Sequence, residues 1–171
     1  MQKAMGGITA PSFYAAFGSK EALFREAVEL YNKTQGAPMV KALTEEPTAR
    51  ASIEGLLRAA VKSFCQSGNP RGCLVVLGAI NCMPANKNVQ DFMRDQRSIR
   101  EKVIRQRLRR GVAEGDVPAV ANLDALASFY TSIVDGMSMR ARDGASRKVL
   151  KGIVDCAMAA WDAMTASGIR T

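Results

Sequence analysis

Apolar residues recur at helical spacing along nearly the whole chain, and this constrains the fold more than any single motif does. Between 19 and 34, Ala22, Leu23, Ala27, Leu30 and Tyr31 fall three or four apart, which places them on one stripe of an amphipathic helix. "GAPMV" (36–40) reads as the break after it. A second helix is predicted over 48–67, with Thr48 as N-cap and Ile53, Leu56, Leu57, Ala60, Val61, Phe64 and Cys65 turned to a core. "SGNPRG" (67–72) is a strong breaker. The apolar run "GCLVVLGAI" (72–80) has the composition of a strand, but it lies between helices with no partner strand in view, so a short buried helix is expected. Residues 86–114 read as one long helix with Val89, Phe92, Met93, Ile99, Val103, Leu108 and Val112 inward. "GDVPAVAN" (115–122) ends it, and helices over 122–142 and 145–166 follow, separated by "RDGAS". No repeat and no βαβ alternation is present, and the expected fold class is all-α.

A chain of 171 residues makes about one domain and removes roughly 70% of its unfolded surface from water. The sequence contains no histidine, so the commonest general base and every Ser-His-Asp or Cys-His arrangement are missing. Phosphate-cradling glycine loops are also lacking, and the chain is expected not to be an enzyme and to need no cofactor. Cys65, Cys73, Cys82 and Cys156 have no CxxC spacing, and no metal site is expected from them. Cys65, Cys73 and Cys82 flank the short helix and could meet as a redox or soft-metal sensor; burial as small apolar groups is the simpler reading. The longest apolar run is too short to span a bilayer, and the first residues show no apolar export segment. A cytoplasmic protein with reduced thiols and no membrane partner is therefore expected.

"GGITAPSFYAAFGSK" carries the most specific pattern. Gly6 and Gly7 make a turn, and Thr9 stands where its hydroxyl can accept a first-turn N–H. Pro11 falls where amides have no intrahelical acceptor. Phe13 and Phe17, four apart, pack inward, leaving Ser12, Tyr14, Ala15 and Ala16 for outer surfaces. A short helix with small exposed side chains can enter a major groove, with the Tyr14 hydroxyl and Lys20 reaching phosphates. On spacing alone, a structural helix corner whose aromatics are core fits equally well.

"GGITAPSFYAAFGSKEALFREAV" resembles the signature of TetR-family transcriptional regulators, through Gly7, Ile8, Thr9, Phe13, Tyr14, Phe17, Lys20, Glu21 and Leu23. The resemblance implies that Thr9 to Ala16 form a recognition helix, that Tyr14 and Lys20 touch phosphates, and that Phe13 and Phe17 hold the helix to its neighbours. The DNA-contacting set it implies is Thr9, Ala10, Ser12, Tyr14, Ala15, Ala16 and Lys20. Pro11, Ala15 and Ala16 replace polar residues common on this helix, so apolar contact with a thymine methyl suits Ala15 or Ala16. The family carries a complete first helix before this motif, whereas "MQKAM" precedes the glycines here. The expected organisation is therefore a partial helix-turn-helix over 1–35 and an effector-binding and dimerisation domain over 36–171. "RRGVAEGDVPAVANLDALASFY" (109–130) and "PRGCLVV" (70–76) add weaker likeness.

Phe64, Leu74, Leu77, Phe92, Met93, Phe129, Ile133 and Met137 are candidate linings of a cavity for a small apolar or aromatic effector; each is also ordinary core. The basic run "RDQRSIREKVIRQRLRR" (94–110) alternates with inward residues and reads as the solvated face of the long helix. Residues 1–35 hold four Lys/Arg and three Glu, so the formal charge of +8 lies mainly elsewhere and serves long-range steering to DNA rather than contact. Ser128, Ser132 and Gly136, then Gly152, Cys156 and Ala160, repeat every four residues. Such small stripes let helices approach closely, and the resemblance implies the same helices for a homodimer. The opposite stripes, Leu126, Tyr130, Ile133 and Met137, and Leu150, Ile153, Ala157, Trp161 and Met164, face the interior.

The expected function is a TetR-like ligand-responsive regulator, a repressor that binds a pseudo-palindromic double-stranded DNA operator as a homodimer and is released by its effector. The alternative is a ligand-binding or interaction protein of the same fold that does not bind DNA because the first helix is missing.

Overall fold

The computed structural model describes residues 9–80 and 83–166, with the side chains of Ala10, Phe13 and Pro84 left out. Gly6, Gly7, Ile8 and Cys82, and the packing expected of Phe13, lie outside the described residues. Secondary structure among the described residues is helical throughout.

Helix α1 spans Ala10–Phe17. The Thr9 hydroxyl accepts from the Ser12 amide at 3.4 Å, Pro11 sits in the first turn, and Gly18 ends the helix at φ 68°. Ser19 caps α2 (Lys20–Thr34) at once, accepting from the Ala22 amide at 3.0 Å. Two helices are thus joined by two residues, which needs the left-handed glycine. The inner face of α2 is Phe24, Val28 and Tyr31, with Val28 fully buried. Ala27 and Leu30 face out instead, Leu30 being 62% exposed. Spacing alone admits either stripe, and contact with later helices selects one.

The segment read as a break is a helix of its own, α3, Ala37–Glu45. The chain turns at Gln35–Gly36, and a Cβ on Gly36 would sit 2.7 Å from the Asn32 carbonyl oxygen. Pro38 then occupies the first turn of α3 rather than stopping a helix. Met39 and Leu43 bury this helix on α4, Ala49–Phe64. Helix α4 is the centre of the molecule and touches α3, α6, α7 and α8. Thr48 caps it through the Ala51 amide at 3.1 Å, and Ile53, Leu56, Leu57, Ala60, Val61 and Phe64 are all buried. Cys65 lies just past its end, half-buried.

The apolar run condenses to a single turn, α5, Leu74–Leu77. Helix α6 covers Lys87–Glu114, about 42 Å at 1.5 Å per residue. Met93, Ile104 and Leu108 are its buried apolar residues, whereas Ile99 is 48% exposed. Its basic face is not simply solvated. Arg107 is only 3% exposed, its Nε donating to the Ser52 hydroxyl at 2.7 Å. Arg97 donates to the carbonyls of Val75 and Gly78, pinning α5. Arg100 pairs with Asp135. These arginines fall beside the apolar stripe, where neighbouring helices cover the stem and supply acceptors for the head.

Asn122 caps α7 (Leu123–Arg142) and Ser146 caps α8 (Arg147–Ala159). The last predicted helix is interrupted at Ala160, and Trp161–Ala166 forms a separate turn, α9. Leu126, Tyr130, Met137, Leu150, Ala157 and Trp161 are buried, with Ile133, Ile153 and Met164 packed around them. Tyr130 meets Phe129 edge-on at 5.1 Å and Trp161 at 5.8 Å. No helix among the described residues is long and apolar enough to cross a membrane.

Candidate functional site

Three features stand apart from the packed core: the outer face of α1, a cavity below α2, and a stripe along α7 and α8.

On α1, Ser12, Tyr14, Ala15 and Ala16 are exposed, as are Thr9 before it and Lys20 at the start of α2. The side chain of Ala10 lies outside the described residues. Thr9 and Ser12 share a hydroxyl contact at 3.0 Å, so the residue that caps the helix also orders a polar neighbour on the exposed face. The short side chains let the backbone approach a partner surface closely, and Tyr14 and Lys20 flank them. Helix α2 connects this face to the rest of the molecule. Arg25 lies over the Phe92 ring at 4.4 Å, and the Asn32 amide donates to the Gln96 side-chain carbonyl at 2.9 Å. Both contacts tie α2 to α6.

The cavity has a volume of about 840 Å³, within the range of small-molecule sites. Tyr31 and Gln35 at the end of α2 form one wall; the 69–73 loop, α5 and residues 78–80 form a second; Met139 and Arg142 of α7 complete it. Of the eight side chains expected to line it, Leu74 and Leu77 do so. Phe64, Met93 and Met137 are sealed in the core. Phe129 packs on Tyr130, Phe92 lies under Arg25, and Ile133 packs against the core from its edge. Helical spacing finds inward residues, but the best inward residues fill the interior. A cavity opens where loops and helix ends fail to close; Tyr31 lies on the apolar stripe read from the sequence, but its Gln35, Asn69, Arg71, Met139 and Arg142 carry no periodic signal.

Behind this wall runs a polar relay from α2 to α7. The Tyr31 hydroxyl lies against the Cys73 thiol and the Leu74 backbone, and burial first, then the thiol, pushes its phenol upward. The Cys73 amide donates to the Ser138 hydroxyl at 2.8 Å, and Arg100 approaches its sulfur at 3.7 Å. Arg100 Nη1 then meets Asp135 at 2.6 Å. A second hollow of about 190 Å³, lined largely by apolar side chains, lies across Tyr31 and Cys73 from the first. Cys65 sits at a separate hollow beside Arg71, Cys156 is exposed on α8, and Cys82 lies outside the described residues. Among the described residues no cluster of metal-ligating side chains forms.

The small-residue stripe is uncovered. Ser128, Ser132, Gly136, Gly152 and Cys156 are exposed and Ala160 half-buried. A Cβ on Gly136 or Gly152 would meet nothing within 4 Å.

The profile described as "Tetracyclin repressor-like, C-terminal domain" matches residues 49–155, from the start of α4 almost to the end of α8. The HTH-type transcriptional repressor ComR of Escherichia coli (strain K12) is 26% identical over 156 residues, covering 91% of this chain and 74% of ComR. The repressor BdcR of the same organism is 28% identical over 167 residues, covering 96% and 75%. Among solved structures, a cysteine-substituted TetR-family regulator CifR, complexed with 26 bp double-strand operator DNA, superposes with a TM-score of 0.90 at 41% identity, covering 94% of this chain and 83% of that one. A protein of Rhodococcus sp. RHA1 assigned to the TetR regulators gives 0.63 at 29% identity, over 96% and 85%. The short capped helix, its close-coupled partner and the helices packed around α4 behind them agree with these likenesses: the chain belongs to the TetR family of transcriptional regulators.

Proposed function

We propose that this chain is a ligand-responsive repressor in which α1 reads operator DNA, the 840 Å³ cavity binds a small effector, and α7 with α8 forms a homodimer. The observation that carries the reading is that one helix serves two sites: α2 begins two residues after α1 and ends as the Tyr31–Gln35 wall of the cavity. A molecule pressing on that wall moves the helix that holds α1. The division into a DNA-reading unit over 1–35 and an effector and dimer unit over 36–171 follows from the same arrangement, with α2 as the link.

In the dimer, two α1 helices would stand about one DNA turn, roughly 34 Å, apart on a pseudo-palindromic site. Tyr14 and Lys20 position the protein on phosphates, and Ala15 and Ala16 present methyl groups to thymine. An effector that favours another spacing releases the DNA, and a coupling of about 1–3 kcal/mol lowers affinity roughly 5- to 150-fold. CifR is similar to this chain and is held on double-strand operator DNA in its solved complex, which supports the DNA arm of the reading.

Gel shift with the DNA upstream of the protein's own reading frame tests it. Y14A is expected to weaken binding about tenfold. K20Q, absent from two sites per dimer, is expected to reduce the slope of log K against log salt by about 2. Both variants binding like the parent would remove α1 from the interface; no shift by the parent protein, while ligands still stabilise it, would leave a binding protein without a DNA role.

A further inference from the structure

The charge of the cavity wall is one-sided. Among the described lining residues are Arg71 and Arg142, and neither aspartate nor glutamate. Arg71 is engaged, its Nη2 donating to the Ala145 carbonyl at 2.5 Å. The side chain of Arg142, the last residue of α7, makes no hydrogen bond or ion pair among the described residues. The α7 carbonyls that end here bear partial negative charge, so the two cations together, rather than either alone, make the wall positive. Beside them the same wall holds apolar side chains that the fold leaves in water: Ile80 is 44% and Met139 45% exposed, with half-buried Leu74 and Leu77 deeper in. An unpaired guanidinium and uncovered apolar surface thus meet at one hollow.

We propose that the cavity takes an apolar monocarboxylate, its acid group paired with Arg142 and its body laid on Leu74, Leu77, Ile80 and Met139. This rests on the reading of the cavity as the effector site. The guanidinium of Arg142 offers a planar pair of donors matched to a carboxylate, and Arg71, already donating to the Ala145 carbonyl, adds positive field without a second docking point, which suits one acid group. A cationic ligand would face two arginines with no counter-charge in the wall. The apolar body supplies most of the affinity through burial of Ile80 and Met139, while the acid sets orientation, placing the far end toward Tyr31 and α2.

Calorimetric titration of the full chain with three ligands sharing one body, 6-phenylhexanoate, 6-phenylhexan-1-ol and 6-phenylhexylamine, tests this directly. The acid is expected to bind roughly tenfold tighter than the alcohol, and the amine weakest. R142Q should bring the acid down to the affinity of the alcohol without altering the alcohol itself, which also reports that the variant is folded. R140Q, two residues back on α7 and outside the cavity lining, should leave the ratio intact. Equal binding of acid and alcohol by the parent protein, or an R142Q that keeps the preference, overturns the carboxylate assignment while the cavity remains a ligand site. Tight acid binding that leaves operator affinity unchanged sinks the effector reading and keeps the ligand class. Absence of binding by all three overturns both.

Discussion

Asp135 and Arg100 meet at 2.6 Å between α6 and α7, with Arg100 13% exposed. Two effects oppose each other at the carboxyl: burial raises its pKa and the guanidinium lowers it, and burial prevails. Taking a carboxylate out of water costs more than one partly desolvated partner returns. A carboxyl whose folded pKa lies above its unfolded value stabilises the fold at low pH, and that contribution fades as pH rises through the folded value. The thermal stability of the parent relative to D135N should therefore be greatest near the ordinary carboxylate range and shrink toward pH 7. Melting curves of both proteins from pH 4 to pH 8 check the sign, and a gap that widens with pH would mean that pairing prevails instead. The sequence marks Asp135 only as one polar position on a helix. Its role comes from Arg100, which spacing alone placed in solvent.

At the scale of elements, the junction of α4 and α6 depends on a glycine. A Cβ on Gly111 would clash with Asp116 Oδ1 and would stand 2.7 Å from Val117 Cγ2 and 2.8 Å from Ala49 Cβ. Asp116 is held there because it accepts the Ala49 amide at 2.9 Å, serving the N-terminus of α4. G111A gains about 1 kcal/mol of helix propensity and loses about 1–3 kcal/mol to overpacking. The expected result is a net destabilisation of up to about 2 kcal/mol, read as a lower urea midpoint at unchanged m. Helix α3 shows the limit of element reading in the other direction. Pro38 looked like a breaker, yet a proline in a first turn starts a helix as readily as it ends one. The choice lies in whether Met39 and Leu43 find a surface, and α4 provides it.

At the scale of the whole molecule, the small-residue stripe on α7 and α8 is solvent-exposed in a single chain, as a surface reserved for a second copy would be. S132R places a long cation in that stripe without touching the core, since Ser132 is exposed and its hydroxyl donates to the Ser128 carbonyl of its own helix at 2.8 Å. Sedimentation should show a dimer for the parent protein and a monomer for S132R, with helical content unchanged. A dimer that survives the substitution would put the interface elsewhere. The long helices, the caps at Thr9 and Thr48 and the TetR signature were determined by the sequence itself, because a 3.6-residue apolar period and a hydroxyl at a helix start act over one or two turns. Which side chains became cavity, relay or buried cation was decided only by tertiary structure. Arg107 meets Ser52 across 55 residues and Arg71 meets Ala145 across 74, and no local pattern records how closely such distant surfaces will fit.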